Sequence, residues 1–267
     1  MTLRDYLFHE EPGITLYCGD NAQVLPLLCL DTSYCLEMCS GACRAALVLT
    51  DPPYEVEAHT LQRRVKRGGG VLAIEALPFA KIDAERRRAA CGGIRRLACG
   101  WVLVFCQAEA VSEWREALET AGIRYMRPMV WIKPDAMPQY SGDRPGMGYE
   151  SIVAAWAGEG RSHWNGAGRV GVFHHTKNDP HFDDGRHAHP TQKPEALIRD
   201  LIGLFSAPGD LVLDPFAGSG TTGVAAIRQG RRFIGWERDA KYHAIADRRL
   251  RGTQEQLELA TAAGGAP

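Results

Sequence analysis

The chain has 267 residues, 45% hydrophobic and 24% charged, with 31 Lys and Arg against 32 Asp and Glu for a net charge of −1. That make-up is ordinary for a soluble globular protein with a sizeable core, one large domain being the default. No run approaches the roughly 20 apolar residues that a membrane-spanning helix needs. The opening Met1-Thr2-Leu3-Arg4-Asp5-Tyr6 has no apolar signal core, so an intracellular protein is expected.

Apolar runs between turn residues predict strands at 14–18, 46–50, 101–106, 125–132, 151–157, 210–214 and 232–236. Helices fit between them: 109–121 before Gly122, 194–206 opening on Pro194, 219–229 before Gly230, and 239–251 before Gly252. Strands alternating with helices predict an α/β fold of Rossmann-like type, a mostly parallel sheet with helices on both faces. One domain over residues 1–252 is expected, followed by a flexible tail over 253–267.

Two stretches resist this pattern, and long irregular segments in compact domains are usually functional or disordered. Residues 55–84 contain Gly68-Gly69-Gly70. Residues 134–192 contain one short strand and six histidines, His163, His174, His175, His181, His187 and His189. Inserted segments are expected near 55–100 and 134–192. Residues 61–100 carry ten Lys and Arg, among them Arg63, Arg64, Lys66 and Arg67, against Glu75, Asp83 and Glu85. Such a cluster can hold a phosphate backbone inside a nearly neutral protein, or be a solvated helix face. Its place directly after the segment at 51–54 favours nucleic acid.

The eight cysteines include Cys35, Cys39 and Cys43, which helical spacing would put on one face. They lack the CxxC knuckle of structural zinc, and in this context read as thiols rather than disulfides. The histidines form no helical HxxxH pair and have no Cys partners, so they read as surface or DNA-facing groups. No metal is expected.

Two segments carry chemistry. Leu211-Val212-Leu213 leads into Asp214-Pro215-Phe216-Ala217-Gly218-Ser219-Gly220-Thr221-Thr222. A strand ending in an acid, then glycines, then a helix start lets backbone approach a nucleotide-like ligand closely. The lysine of a P-loop is missing, so nucleotide hydrolysis is not expected. The next strand ends at Glu237, placed as a ribose-binding acid would be. The second segment, Asp51-Pro52-Pro53-Tyr54, follows Ala46-Leu47-Val48-Leu49-Thr50. Its two prolines preset the backbone. The Asp51 carboxylate and the Pro52 carbonyl can accept both N–H bonds of an aromatic amine, and Tyr54 can stack on its ring.

Together these segments resemble the S-adenosylmethionine-dependent amino-methyltransferases of DNA, the N6-adenine and N4-cytosine family, over roughly residues 14–54, 101–158 and 189–250. The motif order, acceptor loop first and cofactor loop late, is similar to the beta group of that family. The resemblance implies a class I methyltransferase fold with a seven-stranded sheet and one antiparallel hairpin strand. It implies S-adenosylmethionine held by Asp214, Phe216, Ala217, Gly218, Ser219, Gly220, Thr221, Thr222 and Glu237. Thr191 and Lys193, in His189-Pro190-Thr191-Gln192-Lys193-Pro194, and Asp20, in Tyr17-Cys18-Gly19-Asp20, are carried over as further cofactor contacts. Asp51, Pro52, Pro53 and Tyr54 are the implied catalytic residues.

Adenine N6 is the implied target, because the acceptor loop opens on Asp; cytosine N4 enzymes more often carry Ser there. An amine inside a duplex is reached by flipping its base out. The implied partner is double-stranded DNA, with a second copy of the chain and a cognate restriction endonuclease as further candidates and no membrane. The implied setting is a bacterial or phage-encoded protein of the cytoplasm. An RNA- or protein-amide methyltransferase is a weaker reading, since those families usually place the cofactor loop first. A non-catalytic DNA-binding relative would be expected to lose Asp51 or Gly218, and both are present.

Overall fold

The computed structural model describes residues 2–30, 44–53, 65–67, 70–72, 82–136, 138, 142–143, 145–177 and 192–263. Nine strands form one sheet: β1 (Leu7–Glu11), β2 (Ile14–Cys18), β3 (Ala45–Thr50), β6 (Ala98–Cys106), β7 (Arg124–Ile132), β8 (Tyr149–Trp156), β9 (Val172–His174), β10 (Leu211–Asp214) and β11 (Arg232–Glu237). A separate antiparallel pair joins β4 (Val65–Arg67) and β5 (Gly70–Leu72). The helices are α1 (Asn21–Leu30), α2 (Ala84–Leu97), α3 (Val111–Thr120), α4 (Glu195–Phe205), α5 (Thr221–Arg228) and α6 (Ala240–Ala262).

The sheet order is β1-β2-β11-β10-β3-β6-β8-β7-β9. The five strands from β2 to β6 are mutually parallel. All seven predicted strands are present. The two additional ones lie at the sheet edges. β1 pairs antiparallel with β2 across Pro12-Gly13, and its His9 Nδ1 lies 2.7 Å from Asp247 on α6. β9 adds three residues beside β7. β8 runs antiparallel to both β6 and β7, so two strands, β1 and β8, oppose the rest where the resemblance implies one.

The inner strands are buried on both faces, which is why they read as unbroken apolar runs. Along β6, Trp101, Leu103 and Phe105 pack into one core with α4, α5 and α6. Val102, Val104 and Cys106 pack into the other, with α1, α2 and α3. α2 starts where Asp83 accepts a 2.8 Å bond from the Arg86 amide, a capping geometry. It buries Ala90, Cys91 and Ile94. Residues 84–100 are therefore a crossover helix and core strand rather than part of an inserted segment. Likewise, within 134–192, β8 lies inside the sheet.

α6 also departs from expectation. It continues through Gly252 to Ala262. Buried Thr253 bonds its hydroxyl to the Arg249 carbonyl at 2.8 Å. The helix thus runs past the boundary expected at Gly252, because one glycine on a helix whose other face is packed costs only about 1 kcal/mol.

The chain leaves β3 toward β6 on one side and leaves β10 toward β11 on the other. The sheet therefore reverses its order between β3 and β10, which is where open α/β sheets bind ligands.

Candidate active site

The loop after β10 is built around Asp214. Its Oδ1 accepts a 3.0 Å bond from the Phe216 amide and a 2.7 Å bond from the Thr50 hydroxyl at the end of β3. Burial pushes its carboxyl up to about 6, against the lowering effect of bonds from Thr222, Thr50 and the Phe216 amide. The loop closes where the Gly220 amide meets the Ala217 carbonyl at 2.8 Å. Gly218 has φ +53°, and a Cβ there would find its nearest neighbour, the Phe216 carbonyl oxygen, 4.0 Å away. That is open space facing a cavity. Gly220, at φ +81°, differs: a Cβ would meet Ala246 of α6 at 3.0 Å. Gly220 thus serves helix packing and is not among the residues lining the cavity.

Arg249 of α6 pins this loop, with Nη1 donating to the Ser219 carbonyl at 2.7 Å and to the Thr221 hydroxyl at 3.1 Å. Nothing in the sequence signals that role. One arginine on a helix 30 residues downstream of Ser219 looks like a surface charge until the helix is docked. Glu237, at the end of β11, accepts 2.9 and 2.8 Å bonds from the Gly218 and Asp239 amides. Burial raises its carboxyl, while those amides and that of Arg238 oppose the shift. Asp20, after the neighbouring β2, faces the same space with Arg238 Nη1 at 3.5 Å.

Asp51 follows β3 on the other side of the switch point. It keeps 33% side-chain exposure and pairs with Lys193 Nζ at 2.8 Å through Oδ2. Lys193 Nζ also lies 2.8 Å from Glu150 Oε1, and Lys133 Nζ lies 2.7 Å from Glu150 Oε2. Burial pushes the Asp51 carboxyl up to about 6, with Lys193 lowering it and Glu150 raising it. Burial opposes the charge on Lys193, but Asp51 and Glu150 outweigh it and hold the ammonium above the ordinary lysine range. For Glu150, burial is outweighed by Lys193 and Lys133, which hold its carboxyl below the usual range. Neither Glu150 nor Lys133 stands out in the sequence; each is a lone charge on or beside a strand.

The segment before α4 ties the two loops together. Lys193 reaches Asp51, and Gln192 Oε1 accepts a 3.2 Å bond from the Ser219 hydroxyl. One cavity of about 790 Å³ runs between the strand ends, within the range of small-ligand sites. It is lined by Asp20, Thr50, Asp51, Pro52, Pro53, Lys193, Asp214, Phe216, Ala217, Gly218, Ser219, Thr221, Thr222 and Glu237. The structure therefore gathers most of the expected site residues around one space. Tyr54 and Thr191 lie outside the described residues.

The profile described as DNA methylase, the N6/N4 methyltransferases, matches residues 98–248, from the start of β6 to the middle of α6. The chain belongs to this DNA methylase family. Two curated members match over short stretches. DNA adenine methyltransferase YhdJ of Escherichia coli K12 is 60% identical over 62 residues, 23% of this chain and 21% of its own length. Type II methyltransferase M.HinfI of Haemophilus influenzae is 52% identical over 69 residues, 26% of this chain and 19% of its own. The matches thus span about a fifth of those relatives.

Solved structures share the fold. M1.HpyAVI, solved as a complex with S-adenosylmethionine, superposes with a TM-score of 0.64 at 23% identity, over 89% of this chain and 98% of its own. The cytosine-N4-specific PvuII DNA methyltransferase gives 0.64 at 16% identity, over 93% and 94%.

In this chain the expected DNA-binding cations fall in two groups. Arg63 and Arg64 lie outside the described residues, while Lys66 and Arg67 belong to β4. Further along the basic segment, Arg87 is buried, its guanidinium 5.5 Å from the Trp114 ring centroid. It is a packing residue and not available to phosphate. Of the six histidines within 134–192, His163 and His174 are exposed and His175 bonds Asp200 at 3.1 Å; the other three lie outside the described residues. Cys18, Cys91, Cys99 and Cys106 are not joined in disulfides, and burial pushes Cys91 up to about 12. Among the described residues no helix is long and apolar enough to cross a membrane.

Proposed function

We propose that the protein transfers a methyl group from S-adenosylmethionine to adenine N6 of a base flipped from duplex DNA. The observation that carries this reading is the placement of Asp51 and Asp214 at the ends of adjacent parallel strands over one cavity. The cofactor fits the residues present. Gly218 leaves open space for it, and Glu237 offers a carboxylate whose orientation two backbone amides fix. When bound, S-adenosylmethionine supplies a methyl group made electrophilic by its sulfonium.

The chain's own residues prepare the acceptor. An exocyclic amine is a poor nucleophile because its lone pair is delocalised into the ring. Asp51 and the Pro52 carbonyl accept its two N–H bonds and draw the nitrogen towards tetrahedral geometry, freeing the lone pair for in-line attack. As the N–C bond forms, the methyl's bond to sulfur would break and leave its electron pair on a neutral thioether; positive charge grows on the acceptor nitrogen, and the Asp51 carboxylate stabilises it. The product ammonium then gives up one proton, through Asp51 or to water. Pro52 and Pro53 hold this geometry in advance, and Tyr54 stacks on the base.

Adenine is favoured over cytosine by the Asp that opens the acceptor loop and by the similarity to a DNA adenine methyltransferase. Residues 61–72 and the stretch around 134–192 hold the displaced DNA in this reading. The setting is the bacterial cytoplasm, with a second copy of the chain and a restriction endonuclease as further candidate partners. Incubation with tritiated S-adenosylmethionine and unmethylated genomic DNA, followed by nucleoside analysis, tests it. Label in N6-methyladenine is expected; label in N4-methylcytosine would replace the target, and unlabelled DNA would reject the reading.

A further inference from the structure

Behind Asp51 lies a buried row of alternating charges. Lys193 bridges Asp51 and Glu150 at 2.8 Å each, and Lys133 holds the other Glu150 oxygen at 2.7 Å. The four groups come from separate places: the end of β3, the segment before α4, the start of β8 and the residue after β7. Lys193 is 8% exposed and sits 5.1 Å from the Phe105 ring centroid. Lys133 sits 4.5 Å from that of Trp131. Charges taken out of water at this depth are costly unless paired. Two anions and two cations cancel, so the row adds no net charge to a cavity that must receive a sulfonium.

Asp51 has two oxygens, and Lys193 takes Oδ2. We propose that Lys193 is a positioning residue of the methyl-acceptor site: it fixes the plane of the Asp51 carboxylate so that Oδ1 meets the target amine, and Glu150, braced by Lys133, sets how strongly that ammonium acts on Asp51. This rests on the reading of Asp51 as the group that receives the amine.

The charged groups facing Asp51 are Lys193, Glu150, Lys133 and, from the end of β10, Asp214. Burial favours the neutral acid, Lys193 favours the carboxylate, and Glu150 works against Lys193. Removing Lys193 and removing the charge of Glu150 should therefore move Asp51 in opposite directions. A general loosening of the pocket would move it the same way in both.

The test is a ¹³C-carboxyl NMR titration of the protein without DNA, with the Asp51 signal assigned by its loss in Asp51→Asn. Alongside it runs the pH profile of methyl transfer from tritiated S-adenosylmethionine to unmethylated genomic DNA. Lys193→Met should raise the Asp51 midpoint by roughly 1–3 pH units, Glu150→Gln should lower it, and Lys193→Arg should restore most of the original value. The acid limb of methyl transfer should follow in the same directions. If Lys193→Met does not fold, Lys193→Gln supplies the raised midpoint to set against Glu150→Gln. Unchanged midpoints, or shifts of one sign in both variants, overturn the proposal. Opposite shifts in a protein that labels no DNA would uphold the positioning of Asp51 and reject the DNA activity instead.

Discussion

Thr50 and Asp214 stand 164 positions apart in sequence, and the Thr50 hydroxyl donates a 2.7 Å hydrogen bond to Asp214 Oδ1 in the buried interior. That bond crosses between β3, which leads into the proposed acceptor loop, and β10, which leads into the proposed cofactor loop. Thr50→Val keeps the shape and deletes the donor. Leaving a buried acceptor short of a partner costs about 1–3 kcal/mol. A lower melting temperature and weaker S-adenosylmethionine binding are expected by calorimetry, with Thr50→Ser close to the parent. Equal melting temperatures for parent and Thr50→Val would show that the bond does not brace the site.

Gly218→Leu should abolish S-adenosylmethionine binding. The residue sits at φ +53° with open space ahead of its α-carbon. A leucine there is strained in its backbone and fills the room intended for the ligand. Isothermal titration of a folded variant settles the point, and unaltered affinity would place the cofactor elsewhere.

Asp51→Ala should cost methyl transfer roughly 10²–10³-fold, the usual effect of removing one preorganised electrostatic partner, while cofactor affinity stays near the parent. Tyr54→Ala should also lower the rate, through lost stacking of about 1–3 kcal/mol per base, and Tyr54→Phe less so. Full activity in Asp51→Ala would remove the proposed chemistry. Because the Asp51 carboxyl is pushed up to about 6 and acts ionised, the parent rate should fall as pH drops through that value.

The same two carboxyls predict the pH dependence of stability. Asp51 and Asp214 are both raised from 3.8 to about 6, so folding favours their protonated forms. Their stabilising contribution is complete below the unfolded value and is lost as pH rises through the folded one. Between about pH 4 and pH 6 the parent should lose this contribution to its stability. The Asp51→Asn, Asp214→Asn double variant should show a flatter melting-temperature profile over that window. An equally steep profile in the double variant would assign the dependence to other groups.

Neutralising Arg63, Arg64, Lys66 and Arg67 together should weaken DNA binding and reduce its salt dependence by about 0.9 in slope for each phosphate no longer neutralised, leaving cofactor affinity intact. Arg87→Ala provides the contrast. Its guanidinium is buried on Trp114, so it should lower the melting temperature and leave the salt slope alone. Fluorescence anisotropy with a labelled duplex across a salt series reads both, and an unchanged slope in the fourfold variant would mark those residues as a solvated face.

The two loops and the strands that carry them are legible in the amino-acid order. Asp51-Pro52-Pro53-Tyr54 and Asp214 to Thr222 are contiguous, and their turn chemistry and flanking apolar runs are local properties. The inner strands can be read for the same reason: burial on both faces leaves unbroken apolar stretches. The edges cannot. β1 reads Leu-Phe-His-Glu-Glu and β9 has three residues, and neither holds enough apolar periodicity to stand out without the sheet beside it. The partners emerge only once the chain is folded. Lys193 reads as a cofactor contact, and its bridge between Asp51 and Glu150 emerges only when β3 and β8 bring those carboxylates to its ammonium. Arg249 reads as a surface charge until α6 lies across the loop after β10. Gly220 reads as a ligand glycine, and its close packing against Ala246 shows only once α6 is docked. In each case the meaning of the residue is a distance to a group far away in sequence, and that distance is fixed by the order and direction of the strands.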